Sequence, residues 1–301
     1  MRGADWTPAE VALLREWTEQ GVLAPEVAER FQQSGINRTI KAITRRREKL
    51  GIHALVQPSP FPVYDAPLVI EGDTLNLFDL HCPFHDAPLV NRLVALARKW
   101  GIRKATVGGD AVDFAGFSKY GRKLGTEAED EIRATEQTLN TLAAEFEEVG
   151  YCPGGHEKRL ARMVGWLLRM DYLMNLWVSR KNIKTTRRHY LFVVSGGQRF
   201  LIGHPDSYSR NATYTAKQIA SNQRCHAILG HDHIIGMTRD VSDTWWAIDA
   251  GICADPKRLD YLQERLTTHP KAMQGAVIIK DGVPIPLTPQ NLPLYERFTV
   301  G

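Results

Sequence analysis

The sequence predicts a layered α/β domain preceded by a small unit of three helices. Two observations carry that prediction. From about residue 68 onward, short β-rich runs alternate with helical stretches, which is the pattern of helices packed on a sheet. Before it, the first fifty residues hold three short helical patterns joined by tight turns. The length of 301 residues suits one large and one small domain, and 43% hydrophobic with 24% charged residues is ordinary globular composition. No stretch approaches the roughly 18 uninterrupted apolar residues of a membrane span, and the start shows no apolar signal-peptide core. Four scattered cysteines without a CxxC pair argue against a disulfide scaffold or a zinc ribbon, so a reduced, cytoplasmic protein with no membrane partner is expected.

The elements follow in order. Thr7-Pro8-Ala9-Glu10 is a capping box with proline at the first helical position, and Val11, Leu14 and Trp17 then repeat at helical spacing up to Gly21. A second helix starts near Pro25, carries Val27, Ala28 and Phe31, and ends before Gly35. A third runs from about Arg38 to Leu50, with Ile40, Ile43 and Leu50 expected inward and Gly51 as its stop. Residues 1–52 hold nine Lys/Arg against seven Asp/Glu, yet Arg38, Lys41, Arg45, Arg46, Arg47 and Lys49 of the third helix face a single Glu48. Positive charge concentrated on the helix that would enter a major groove points to DNA or RNA as partner. A solvated basic face on an interaction module is the plainer alternative. The segment resembles small helix-turn-helix units, Myb-like in the opening tryptophan, found beside phage and homing enzymes.

Residues 53–67 carry four prolines and no periodicity, a semi-rigid linker. Beyond it, in the domain spanning 68–301, strands are expected at Leu75–Phe78, Ala105–Val107, Tyr190–Val194, Phe200–Ile202, Ala227–Leu229 and Trp245–Ile248. Helices are expected at Leu89–Trp100, Thr126–Glu148, Lys158–Trp177 and Thr213–Asn222. The acidic helix from Thr126 should pack outside a sheet through Ile132, Leu139, Leu142 and Phe146. Gly196-Gly197 reads as a hairpin turn between two strands.

Chemistry concentrates at the expected strand ends. In order these are Asp79-Leu80-His81, Gly109-Asp110-Ala111-Val112-Asp113, Gly154-Gly155-His156-Glu157, Gly203-His204 and Gly230-His231-Asp232-His233. D-x-H and H-x-H place two ligands on one side of an extended chain. Mixed imidazole and carboxylate donors suit Mn, Fe, Zn, Co or Ni rather than Ca. A carboxylate such as Asp110 can bridge two ions, and paired ions suit in-line cleavage of phosphate esters.

These five ordered motifs resemble the calcineurin-like metallophosphoesterase superfamily, whose pattern is D-x-H, GDxxD, GNH[D/E], a histidine, then GHxH. The strings DLHCPFHD, GDAVDFAGFSKY, GGHEKRL and GHDH are most similar to its phage and prophage branch, and the resemblance spans about residues 68–280. It implies an α-β-β-α sandwich holding two divalent metal ions, manganese first among nickel, iron, cobalt and zinc. Asp79, His81, Asp110 and His233 would hold one ion, and Asp110, His204 and His231 the other. A metal-bridging hydroxide would attack phosphorus, and His156 would protonate the leaving oxygen or stabilise the phosphorane, with Asp113 or Glu157 orienting the ligands. One position departs from the pattern: Gly155 stands where the family carries a ligating asparagine.

Other residues have plainer readings. His53, His189, His226 and His269 lack partner motifs and read as surface or satisfied core residues. His85 lies within DLHCPFHD and could reach the site mouth. Phe114, Phe117 and Tyr120 could line a cleft or pack in the core. At most one of the adjacent Trp245 and Trp246 belongs to a central core, and Cys82 and Cys152 read as small hydrophobes.

Three functions compete. The leading one is a dinuclear metal-dependent phosphoesterase, a nuclease or phosphatase, acting on nucleic acid and positioned by the basic helix. The second is a phosphatase or phosphodiesterase of small nucleotides, with the N-terminal unit serving assembly. The third is a DNA-binding protein whose metal site has decayed at Gly155, against which every other retained motif residue counts.

Overall fold

The computed structural model describes residues 5–53, 66–118, 127–263 and 271–298, and the chain divides into two compact units, Met1–Asp65 and Ala66–Gly301. Most of the proline-rich linker, with Tyr120 and His269, lies outside the described residues.

The first unit is three helices: α1 (Pro8–Glu19), α2 (Ala24–Gln33) and α3 (Ile40–Leu50). The capping box forms as expected, with the Thr7 hydroxyl accepting from Glu10 N while the Glu10 carboxylate accepts from Thr7 N. Leu14, Val27, Phe31 and Ile43 make its core, with Trp6 and Trp17 edge-on to Phe31. Two expectations need correction. The third helix starts at Ile40 rather than Arg38, because Thr39 is its N-cap, and Ile40 is exposed rather than inward since it occupies the first helical turn. Arg38 therefore precedes the helix, where its guanidinium bonds both Glu10 oxygens and lies over the Trp6 ring. Arg47 donates to Val22 O and Arg46 sits near Trp6, leaving Lys41, Arg45 and Lys49 exposed.

The second unit is a four-layer sandwich. One sheet has strand order β12-β11-β2-β3-β4-β5, the other β1-β6-β7-β8-β10-β9. The first comprises β2 (Thr74–Leu77), β3 (Lys104–Gly108), β4 (Glu148–Cys152), β5 (Ile183–Thr185), β11 (Ala276–Lys280) and β12 (Val283–Leu287). The second comprises β1 (Val69–Glu71), β6 (Tyr190–Ser195), β7 (Gln198–Gly203), β8 (His226–Leu229), β9 (Ile235–Arg239) and β10 (Trp246–Ala250). Ile70, Phe78, Val193, Phe200, Ile228 and Ile279 fill the space between the sheets. Outside the first sheet pack α4 (Ala87–Lys99) and α5 (Ala128–Glu145), and outside the second packs α8 (Tyr214–Gln223). Three apolar layers separating four layers of structure is the α-β-β-α arrangement.

Two of the predicted helices are shorter than expected. Helix α5 ends at Glu145, because Phe146, counted in its stripe, is already extended, and Glu148 belongs to strand β4. The stretch 158–177 is two short helices, α6 (Glu157–Met163) and α7 (Met170–Met174), because Gly165 and Trp166 both adopt left-handed backbone. The Gly196-Gly197 turn forms as predicted, with Ser195 paired to Gln198 and both glycines at positive φ.

β2, β3 and β4 are parallel neighbours, and so are β7 and β8. Every chemistry-bearing motif leaves the carboxyl end of one of these strands, where loops of α/β sheets gather ligands.

Candidate metal centre

Five loops bring the candidate ligands together. Asp79 and His81 follow β2, Asp110 and Asp113 follow β3, His156 follows β4, His204 follows β7, and His231 and His233 follow β8. Backbone bonds from Asp79 N to Gly109 O and from His81 N to Asp110 O extend the β2–β3 pairing into the loops and set their spacing. Five candidate ligands adopt left-handed backbone: Asp79 (φ 51°), His81 (45°), Asp110 (48°), His231 (84°) and His233 (55°). Each such non-glycine residue costs of order 1–3 kcal/mol, and strain of this kind persists where a site requires it.

The donor atoms fall into three groups, each within 4.8 Å: Asp79, His81 and His233; Asp110, His204 and His231; and His81, Asp113 and His156, the first and last sharing His81. Asp79 Oδ1 lies 3.2 Å from both His204 Nε2 and His233 Nε2, and Asp110 Oδ2 lies 3.1 Å from His204 Nε2. Asp79 as well as Asp110 thus reaches His204 and links the first two groups. Its second oxygen accepts from His231 N at 3.0 Å. Asp113 Oδ1 takes the His81 Nδ1 hydrogen at 2.9 Å, which leaves His81 Nε2 facing Asp79 and His233.

A divalent ion fits these residues. The donors are imidazole and carboxylate, Asp79, His81, Asp110 and His204 are buried, and His204 Nδ1 has no partner among the described residues. Burial alone would push the Asp79 carboxyl up, but His233, His204 and His81 hold it well below its ordinary range. Burial likewise opposes charge on His81, yet Asp113 and Asp79 carry it up to about 10. His231 moves the other way, down to about 4, chiefly through burial. Its neutral ring is ready to ligate.

Around this centre, Glu157 binds the loops together. Its oxygens accept from Ala111 N (2.8 Å), Gly154 N (2.7 Å) and Asp110 N (3.1 Å), and from the Tyr151 hydroxyl (2.7 Å). A Cβ on Gly154 would meet Asp110 Oδ1 at 2.2 Å, so only glycine fits there. Gly155 differs: its φ is ordinary, and its Cβ would sit 3.9 Å from Asp110 Oδ1. His156 donates Nδ1–H to the Asp113 carbonyl at 2.6 Å, and its Nε2 accepts from Arg159 Nη2 at 2.7 Å. Burial first, then His81 and Arg159, holds its pKa below the ordinary value.

Two residues here were not singled out in the sequence. Arg159 reaches the site one turn along α6, and Tyr261 packs 6.4 Å from His81 and 6.3 Å from His233 between ring centroids, its buried hydroxyl without a partner among the described residues. The plain readings also resolve. His226 is satisfied by Gln198 and Trp246 N, His53 is exposed, and Phe114 is core against Trp177. Phe117 is half-buried against Phe114, and neither Trp245 nor Trp246 is fully buried. His85 contacts Thr138 on α5, and His189 is half-buried. Cys82 and Cys152 are buried, and burial pushes the Cys82 thiol up to about 12, leaving it inert.

No family model matches the chain, and no curated protein matches it. Among solved structures it is similar to a single mutant of Vps29 from Entamoeba histolytica, at 11% identity and TM-score 0.37, over 71% of this chain and 97% of that one. It is similar to wild-type Vps29 of the same organism complexed with zinc, at 11% identity and TM-score 0.32 over the same shares. It is also similar to TT1561 of Thermus thermophilus, at 10% identity and TM-score 0.35, over 72% of this chain and 98% of that one. Likenesses this weak do not say what the chain does. No helix among the described residues is long and apolar enough to cross a membrane.

Proposed function

We propose that the second unit is a metal-dependent phosphoester hydrolase of the calcineurin-like metallophosphoesterase type, acting on nucleic acid, with the three-helix unit and its basic α3 as a nucleic-acid-binding module. One observation carries the reading: two groups of imidazole and carboxylate donors, Asp79–His81–His233 and Asp110–His204–His231, linked through Asp79. Two divalent ions held there, manganese first, would supply Lewis acidity toward phosphoryl oxygens and an activated water.

The chain's own residues do the rest. Asp113 holds His81 through its carboxylate and His156 through its carbonyl, so one residue orients a ligand and the candidate acid together. In this arrangement His156 is the neutral tautomer, and Arg159 occupies the nitrogen from which a proton would be donated. Donation to a leaving oxygen requires Nε2 first to take up a proton from solvent and Arg159 to move its hydrogen bond onto the phosphoryl group, which also brings a guanidinium to the developing charge. The Tyr261 ring packs against His81 and His233.

The test is hydrolysis of bis-p-nitrophenyl phosphate, p-nitrophenyl phosphate and labelled DNA across Mn²⁺, Ni²⁺, Co²⁺ and Zn²⁺. Chelator, Asp79→Asn and Asp110→Asn should each abolish it, the variants showing reduced metal content by elemental analysis. Activity that survives chelation and both substitutions defeats the metal mechanism.

A further inference from the structure

The surface made by α6, α7 and their connecting turn is unused by this chemistry, although it begins at the candidate acid. Helix α6 starts immediately after His156, and Arg159 on its first turn bonds that histidine. Farther along, the chain exposes Met163, Trp166, Leu167, Leu168, Tyr172 and Leu176 within fourteen residues. Trp166 is 58% exposed and Leu167 86%. Exposed large side chains gathered in this way mark an interaction surface rather than ordinary scatter. The backbone strengthens the point. Trp166 adopts φ +60°, a conformation that bulky residues avoid, and the result is an indole facing solvent.

Charge identifies the occupant. Residues 157–188 hold nine Lys/Arg against two Asp/Glu, whereas the whole chain has an excess of only four positive charges. Glu157 is turned inward onto the loops of the centre, and Asp171 bonds Arg169. Strand β5 runs parallel to β4, so Arg187 and Arg188, just beyond its end, leave the same sheet edge as His156. On α6 itself Lys158 pairs with Asp206 and Arg159 bonds His156, while Arg162 is exposed. Accessible aromatic rings interleaved with arginines, beside a phosphoester-cleaving site, match a polyanion whose bases are free to stack.

We infer that the α6–α7 surface is a binding track for single-stranded nucleic acid, with Trp166 and Tyr172 stacking bases and Arg162 contacting a phosphate as the strand enters the metal centre. The inference rests on the phosphoesterase reading for the direction of the strand. The aliphatic side chains around the rings shield the stacked bases from water. A duplex, its bases already paired and stacked, would not use the rings.

The full chain is tested in chelator, so that binding is read without cleavage, by fluorescence anisotropy with labelled oligothymidylate and a duplex of equal length. Trp166→Ala with Tyr172→Ala should weaken single-strand binding about tenfold or more per ring and leave duplex binding unchanged. Arg162→Ala should flatten the salt dependence by roughly 0.7 log units for the phosphate no longer neutralised. Arg45→Ala, Arg46→Ala and Arg47→Ala together remove the α3 contribution, and the aromatic effect should persist in that background. Hydrolysis of p-nitrophenyl phosphate by the metal-loaded aromatic variant should be unchanged. Unaltered oligothymidylate affinity in both the aromatic and the arginine variants overturns the track. So does loss of binding to phosphatidylglycerol vesicles, or of self-association in sedimentation, while oligothymidylate affinity stays fixed, because those outcomes assign the surface to a membrane or a second copy. Ester hydrolysis with no aromatic effect on oligonucleotide binding defeats the track alone. An aromatic effect with no ester hydrolysis under any metal defeats the phosphoesterase reading alone.

Discussion

The Tyr151 hydroxyl donates to Glu157 Oε1 at 2.7 Å, in a buried site where the Trp177 indole in turn donates to Tyr151 at 3.3 Å. Through Glu157 this chain reaches the backbone of Asp110, a candidate ligand, so the segment after α7 is coupled by hydrogen bonds to the metal centre. Trp177 also packs on Phe114, the residue after Asp113.

That relationship makes Glu157 a residue that shapes the ligand loop without holding an ion. Glu157→Gln replaces one acceptor oxygen by an NH₂ that faces donors, so metal affinity should fall by about 10- to 100-fold. Tyr151→Phe removes one donor and should cost roughly 1–3 kcal/mol of stability, with a smaller effect on affinity. Calorimetric metal titration and thermal unfolding read the two effects separately. Parent-like affinity in Glu157→Gln would show that the loop holds its shape without the carboxylate.

His156 and Arg159 make opposed predictions. His156→Ala should lower turnover of alkyl phosphoesters by roughly 10²–10⁴-fold at near-normal metal content, and of p-nitrophenyl esters less, since that leaving group needs no proton. Arg159 is one of the influences holding the His156 pKa down, after burial and His81. Removing it in Arg159→Gln raises that pKa, so the protonated acid survives to higher pH. The alkaline fall of the turnover profile should therefore shift upward even as the maximum rate drops. A profile that stays in place, or shifts downward, contradicts the assignment of His156 as acid.

In the first unit, the hydrogen bond from Arg38 holds Glu10 down at about 2, below its ordinary 4.5, with Thr7 acting in the same direction and burial against it. A depressed carboxyl pKa contributes stability that is fully present above the ordinary value and is lost as pH falls from about 4.5 toward 2. Glu10→Gln should therefore loosen α1 and α3 at pH 7, by roughly 2–3 kcal/mol for a charged hydrogen bond, and differ less from the parent at pH 3. Hydrogen exchange of those helices in the full chain measures it. An equal difference at both pH values would mean that the charge is not what matters.

The grouping of the candidate donors was largely legible because donors at strand ends come as short, local strings. D-x-H, GDxxD and H-x-H each carry their spacing in the chain, and the parallel strands need only set them side by side. The fold was legible for the same local reasons at Thr7, Gly51 and the Gly196-Gly197 turn. What escaped notice lies in contacts without a local signature. Tyr261 reaches His81 from far along the chain, and Asp79 links the two donor groups only through tertiary approach. The break in 158–177 escaped because one glycine in an apolar run reads as a tolerated helical residue, whereas here both Gly165 and the following tryptophan turn left-handed. Arg38 read as part of a basic helix face because charge counting does not see Glu10, twenty-eight residues earlier, waiting for it.

Gly155 gives the remaining prediction. In the resembled pattern this position carries an asparagine oxygen for the second ion, and here Asp110, His204 and His231 would hold that ion alone. The backbone at Gly155 is not in the left-handed region, and a Cβ there would make ordinary contact with Asp110 Oδ1 at 3.9 Å. Gly155→Asn can therefore be accommodated without strain, unlike any replacement of Gly154, whose Cβ would collide with Asp110. The added amide oxygen starts beside the Asp110–His204–His231 group and should raise affinity for the second ion by about tenfold or more. The gain should be largest with Mn²⁺, which imidazole and carboxylate ligands hold less tightly than Co²⁺ or Ni²⁺. Calorimetric titration of parent and variant with each metal decides the matter: a second-site affinity that the substitution leaves unchanged would show that the asparagine oxygen does not reach the ion and that another group of this chain completes its shell.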